Sequence, residues 1–141
     1  MVKKATFSLS SQVDQVSDIL RWIKGQVTAN GLTAKEMKKI ELAVEEVVVN
    51  VIEHTYQGKG GELEIVINDA KSDCLVFVFK DSGAPFDPLA YLEMLQKENS
   101  HERGGVGIRL VSRLMDRVHY QREDGFNILT LTKKIHSSKE N

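Results

Sequence analysis

A chain of 141 residues, 41% of them hydrophobic, has the length of one domain and enough apolar side chains for one core. Its formal net charge of −1 gives no overall basic field to attract nucleic acid or an anionic membrane. No apolar run approaches the ~20 residues that span a bilayer. Met1-Val2-Lys3-Lys4-Ala5 lacks the apolar core of a signal peptide, and the single Cys74 reads as a small buried hydrophobe. A soluble, cytoplasmic protein is expected, binding neither nucleic acid nor membrane directly.

Ala5-Thr6-Phe7-Ser8-Leu9 alternates as a short strand does. Ser10 and Ser11 are N-cap candidates for a helix whose apolar residues, Val16, Ile19, Leu20, Ile23 and Val27, recur at helical spacing. Asn30-Gly31 is its stop signal. Thr33 with Glu36 three residues later forms a capping box for a second helix. That helix runs to about His54 or Tyr56 and ends at Gly58-Lys59-Gly60-Gly61.

Leu63, Ile65 and Ile67 mark a half-buried strand. A turn over Asn68 to Asp73 leads to a more apolar strand, Cys74 to Lys80, and the two should pair as a hairpin. Asp81-Ser82-Gly83 ends it. From Ala84 to Gly105 there are two prolines, a short apolar piece from Leu89 to Leu95, and a polar tract from Gln96 to Arg103. Connections this long with no clear element of their own tend to be functional or disordered. A helix is predicted from Gly105, then strands at Val118-His119-Tyr120 and Asn127 to Lys133, turned at Glu123-Asp124-Gly125. The tail from Ser137 to Asn141 is expected to fray. This order implies an α+β fold, helices on one face of a sheet.

The segment Ile40 to Tyr56 is too apolar for a surface helix, yet Glu46, Asn50 and His54 fall on one stripe among Val47, Val48 and Val51. A carboxylate and an amide there are costly to bury without partners. Alone, the segment fits a buried helix with internally satisfied polar groups as well as it fits a site. Asp81-Ser82-Gly83 alone is an ordinary turn. Arg103-Gly104-Gly105-Val106-Gly107 alone could be a hinge before a helix, and it is neither a dinucleotide fingerprint nor a P-loop.

Together and in this order, the helical Glu-x-x-x-Asn, the strand-terminal Asp-x-Gly and the Gly-x-Gly opening a helix resemble the nucleotide boxes of the GHKL ATPases. Within that superfamily, Glu46 to His54, Asp81-Ser82-Gly83-Ala84-Pro85-Phe86-Asp87-Pro88 and Gly104 to Val111 resemble the anti-sigma-factor serine/threonine-protein kinases. The resemblance covers nearly the whole chain. It implies a single-domain two-layer α/β sandwich of the Bergerat type, with a mixed, mostly antiparallel sheet and residues 84–104 as an ATP lid.

The resemblance also implies ATP or ADP and Mg²⁺ as ligands. Asn50 would place its amide oxygen on Mg²⁺. Glu46 would be the general base, its rival Glu45 pointing about 100° away around the helix. Asp81 would accept from the adenine amino group, and Gly83 would let the backbone approach the base. Gly104, Gly105 and Gly107 would fold against the triphosphate, with Arg103 placed for the terminal phosphate or in solvent. For His54 a structural role is expected ahead of a catalytic one.

Pro85 replaces the second glycine that many relatives carry after Asp-x-Gly, which should stiffen the lid entrance. Many relatives also have a threonine near the adenine on a late strand, and the register of Thr130 and Thr132 stays open. The implied function is ATP-dependent phosphorylation of an anti-sigma-factor antagonist, coupled to sequestering a sigma factor. Two alternatives are a nucleotide-gated binding module without kinase activity and a detached sensor-kinase ATPase domain. Family analogy also allows a homodimer.

Overall fold

The computed structural model describes residues 2–10, 15–69, 73–97 and 103–135, with the side chains of residues 29 and 103–106 left aside. The Ser11 cap candidate and the tail from Ser137 lie outside these residues. Five strands form one sheet: β1 (Val2–Leu9), β2 (Gly61–Asn68), β3 (Cys74–Asp81), β4 (Arg117–Glu123) and β5 (Phe126–Lys134). Their order across the sheet is β1-β2-β3-β5-β4, so the mostly antiparallel expectation holds at every described pairing. Four helices accompany it: α1 (Gln15–Val27), α2 (Ala34–Asn50), α3 (Pro88–Lys97) and α4 (Arg103–Leu114).

The period-two pattern of the strands decides which sheet face is covered. Leu63, Ile65, Ile67, Leu75, Phe77, Phe79 and Leu131 alternate onto one face and are buried, where they meet Ile19, Ile23, Ile40, Val44 and Val48 from α1 and α2. Burying such a side chain contributes roughly 1.5–3 kcal/mol. That offsets the weak helix propensity of the valines in α2.

Local signals set the boundaries. The Thr33 hydroxyl accepts from the Glu36 amide at 3.0 Å and the Glu36 carboxylate accepts from the Thr33 amide at 3.0 Å, the full capping box. Asp124 (φ 53°) and Gly125 (φ 83°) form a two-residue hairpin turn between β4 and β5, with the paired positive φ angles that match strand twist. Past Asn50 the helix widens into a π turn over Val51–Thr55, where the Tyr56 amide donates to the Val51 carbonyl at 3.0 Å.

Two expectations need correction. The connection after Ala84 carries its own helix, α3, because Asp87 accepts from the amides of Leu89 and Ala90 and starts it at Pro88. The following helix begins at Arg103, ahead of Gly105, so the whole glycine run lies within α4. Among the described residues no helix is long and apolar enough to cross a membrane.

Candidate nucleotide site

The widened end of α2 sets the geometry of the site. The Thr55 hydroxyl donates to the Val51 carbonyl at 2.9 Å, and the Thr55 carbonyl accepts from Ala84 at 2.7 Å instead of continuing the helix. A π turn therefore hands one backbone acceptor to the chain leaving β3. Gly83 lies so close that a Cβ there would sit 2.4 Å from the Thr55 oxygen and 2.7 Å from its carbonyl carbon. The space left by Gly83 is filled by the helix end, a reason for glycine that the sequence does not reveal.

The Asp81-Ser82-Gly83 turn is tied down on every side. Ser82 donates its amide to the Tyr56 hydroxyl at 3.0 Å, and that hydroxyl donates to the Glu62 carbonyl. Arg122 donates to the Gly83 carbonyl at 2.9 Å. Asp81 is 4% exposed, and its Oδ1 accepts from the Gly83 amide and from Asn127 Nδ2, both at 2.9 Å. Burial raises the Asp81 carboxyl above its ordinary value, although hydrogen bonds from Asn127, Gly83 and Thr55 and the Arg122 charge pull the other way. A buried carboxylate held mainly by neutral donors is poised for a further donor from a ligand.

Asp81 and Asn50 line one cleft, which encloses about 360 Å³ with its open mouth. Val47, Val51, Phe79 and Leu129 make it largely apolar, and Thr55, Tyr120 and Asn127 add polar atoms. Such a cleft, apolar with a few convergent polar groups, suits a heteroaromatic ring. The Asn50 side chain makes no capping bond at the end of α2. Glu46, one turn earlier on the same stripe, is half-buried against α4: a Cβ on Gly107 would sit 2.4 Å from its Oε2. Burial first, then the charges of Glu45 and Glu53, raises the Glu46 carboxyl above its ordinary value.

The expected residues therefore fall into three groups. Asn50 and Asp81 share the cleft with Gly83 beside it, while Glu46 and Gly107 meet each other across the α2–α4 contact. Arg103, Gly104 and Gly105 lie in the first turn of α4, with their side chains outside the described residues. His54 stacks on Phe86, ring centroids 4.6 Å apart and planes 7° from parallel, and Tyr91 closes the cluster at 5.4 Å from each. Through this stack His54 packs the root of the long connection against the end of α2.

Sequence reasoning missed Asn127. It sits opposite Asp81 in the β3–β5 pairing, on the covered face with Leu129 and Leu131, and is 3% exposed. Thr130 and Thr132, whose register was open, pair with Val78 and Val76 and so occupy the opposite face. A polar residue at inner-face parity in an apolar strand was the available signal, the same anomaly that exposed Glu46 and Asn50. Tyr120 and Arg122, on β4, were missed as well.

Comparison with known proteins gives a consistent picture. The histidine kinase-like ATPase domain family matches residues 9–133. The chain is 27% identical over 141 residues to the serine/threonine-protein kinase BtrW of Bordetella bronchiseptica, covering 98% of this chain and 97% of that one. It is 22% identical to the serine-protein kinase RsbW of Bacillus cereus, covering 94% of this chain and 86% of that one. Among solved structures, the RsbU and RsbW domains of Rv1364c from Mycobacterium tuberculosis superpose with a TM-score of 0.65 at 15% identity, over 94% of this chain and 32% of that one. The catalytic domain of the histidine kinase ThkA shares the fold at a TM-score of 0.56 and 12% identity, over 94% and 96% of the two chains. With most of its length matched by the family, its covered sheet face ending at Asp81 and its apolar cleft beside Asn50, the chain belongs to the histidine kinase-like ATPase domain family.

Proposed function

We propose that this chain is a single-domain, cytoplasmic, ATP-dependent serine/threonine-protein kinase and anti-sigma regulatory factor. It phosphorylates a serine of a small anti-sigma-factor antagonist and sequesters a sigma factor, exchanging the two partners. The observation that carries the reading is the convergence of Asp81 and Asn50, from separate boxes, on one apolar cleft. Near full-length similarity to a serine/threonine-protein kinase supports the choice of acceptor.

In this reading adenine occupies the cleft and donates its amino group to Asp81. Guanine carries a carbonyl at that place and would set an acceptor against the carboxylate. Gly83 borders the base. Asn50 would hold Mg²⁺ through its amide oxygen. An ion held by one protein oxygen would be carried mainly by phosphates and water. When bound, Mg²⁺ neutralises phosphate charge.

The start of α4, with Arg103, Gly104 and Gly105, faces the phosphates with backbone N–H groups, and Gly107 follows within the same helix. The contact between Gly107 and Glu46 brings that phosphate-binding turn beside the base. Glu46 takes the proton of the serine hydroxyl as its oxygen bonds to the γ-phosphorus. The bond from that phosphorus to the β–γ bridging oxygen breaks, and ADP departs with the electron pair. A carboxylate raised toward neutrality is a better base than an exposed one. Residues 84–104 act as the lid, rooted by the His54–Phe86 stack.

The test is incubation of the purified chain with Mg-ATP and its cognate antagonist, reading phosphoserine by mass spectrometry. Glu46→Gln should lower transfer by about 10²–10⁴-fold while leaving ATP binding in place. ATP binding without phosphoserine on any cognate antagonist would favour a nucleotide-gated binding module instead.

A further inference from the structure

Asn127 is saturated. Its Nδ2 donates to Asp81 Oδ1 at 2.9 Å and to the Ala84 carbonyl at 2.8 Å. Its Oδ1 accepts from the Phe86 amide at 3.2 Å and from the Tyr120 hydroxyl at 2.5 Å. A side-chain amide has two N–H donors and two oxygen lone pairs, and all four are used. The partners also fix which way the amide points, since reversing it would set its NH₂ against the Phe86 N–H. A saturated, buried amide has nothing left to offer a nucleotide, so Asn127 is no ligand. What it does is join two things: the carboxylate at the base end of the cleft and the first residues of the lid.

We propose that Asn127 is a positioning residue that couples base recognition to the lid. It fixes Asp81 through Oδ1, and with the same amide it holds the lid root at Ala84 and Phe86. The proposal rests on the reading of Asp81 as the group that recognises adenine. The lid root is gripped twice, by Asn127 at the Phe86 backbone and by His54 at the Phe86 ring. Movement of Asp81 toward or away from a base therefore passes through one rigid amide to the segment that leads into α3. A threonine at this position has a single hydroxyl and could make only part of the set.

The experiment measures two quantities in the full chain, wild type and Asn127→Thr. One is the ratio of calorimetric Kd values for ATP and for purine riboside triphosphate, which lacks only the adenine amino group. The other is amide hydrogen exchange at Ala84 and Phe86 without nucleotide. One hydrogen bond to a buried carboxylate predicts about tenfold or greater preference for ATP in the wild type. In Asn127→Thr that preference should fall to roughly threefold or less, and exchange at Phe86 should accelerate about tenfold or more.

A variant that weakens both nucleotides equally, with the ratio intact, overturns the proposal and leaves Asn127 as a fold staple. Unchanged exchange at Phe86 overturns the lid half. A wild type that binds both nucleotides equally, or neither, defeats the assignment of Asp81 and this proposal with it, and is distinguished from the previous outcomes because the wild type itself fails. If Asn127→Thr does not fold, Tyr120→Phe removes only one donor to the same amide. It should reduce the ratio by about two- to threefold, and an unchanged ratio there overturns the proposal.

Discussion

Substituting Gly83 separates two reasons for a glycine in the Asp-x-Gly turn. If the glycine exists to let a base approach, Gly83→Ala should fold normally and bind ATP poorly. The structure gives a different reason, because the added Cβ meets the Thr55 carbonyl oxygen at 2.4 Å, its carbon at 2.7 Å and the Thr55 Cβ at 3.0 Å. Two of these are backbone atoms of a π turn that is itself held by the Val51 carbonyl, so neither side yields cheaply. Overpacking of this kind costs about 1–3 kcal/mol. Separating the two segments also breaks the 2.7 Å bond from the Ala84 amide to the Thr55 carbonyl. Leaving the buried Thr55 carbonyl without that donor adds about 1–3 kcal/mol. The sum, about 2–6 kcal/mol, is a large part of the roughly 5–15 kcal/mol that holds a domain folded. At about 3 °C per kcal/mol for this size, the nucleotide-free variant should melt about 6–18 °C below the wild type. Thermal denaturation followed by circular dichroism, without nucleotide, reads this directly. A midpoint within about 2 °C of the wild type, with ATP affinity lost, would refute the reasoning and return Gly83 to the ligand.

Gly107→Ala should behave in the opposite way: its Cβ meets the end of the flexible Glu46 side chain, so stability holds or rises by about 0.5–1 kcal/mol while phosphate transfer falls as Glu46 is displaced. Urea denaturation beside a phosphoserine assay separates the two effects. The raised Glu46 carboxyl predicts that transfer, which needs the ionised base, declines on acidification through a pH above the ordinary glutamate value, and a pH–rate profile with that limb at or below about 4.3 would contradict it. Asp81 has a raised carboxyl in the folded state, so the stability tied to its protonated form is complete below the unfolded value of about 3.9 and is lost as pH rises through the folded one. Asp81→Asn, which keeps an Oδ1 acceptor for Gly83 and Asn127, should therefore melt above the wild type at pH 7, with the advantage shrinking toward pH 4, and should lose ATP binding. Thermal melts across pH test the first part and calorimetry the second.

Much of the fold was legible because local rules and the global fold agree. The Thr33–Glu36 box, the period-two strands and the Asp124-Gly125 turn each act over a few residues, and the same chemistry fixes them wherever they occur. Glu46, Asn50 and Asp81 stood out because polar groups in apolar segments need partners. Helix α3 was less legible, since its apolar side is short and its start depends on the Asp87 side chain.

What the sequence determined by itself was the element order apart from α3, the polar stripe of α2 and the family resemblance that the match over residues 9–133 bears out. Tertiary structure alone decided the rest. Pairing of β3 with β5 put Asn127 opposite Asp81 and turned Thr130 and Thr132 to the other face, and a register shift of one residue would have reversed that choice. The π turn redirected the Thr55 carbonyl to Ala84, and the α2–α4 packing set Gly107 on Glu46. Each of these joins residues far apart in the chain, through contacts that exist only once the helices lie on the sheet.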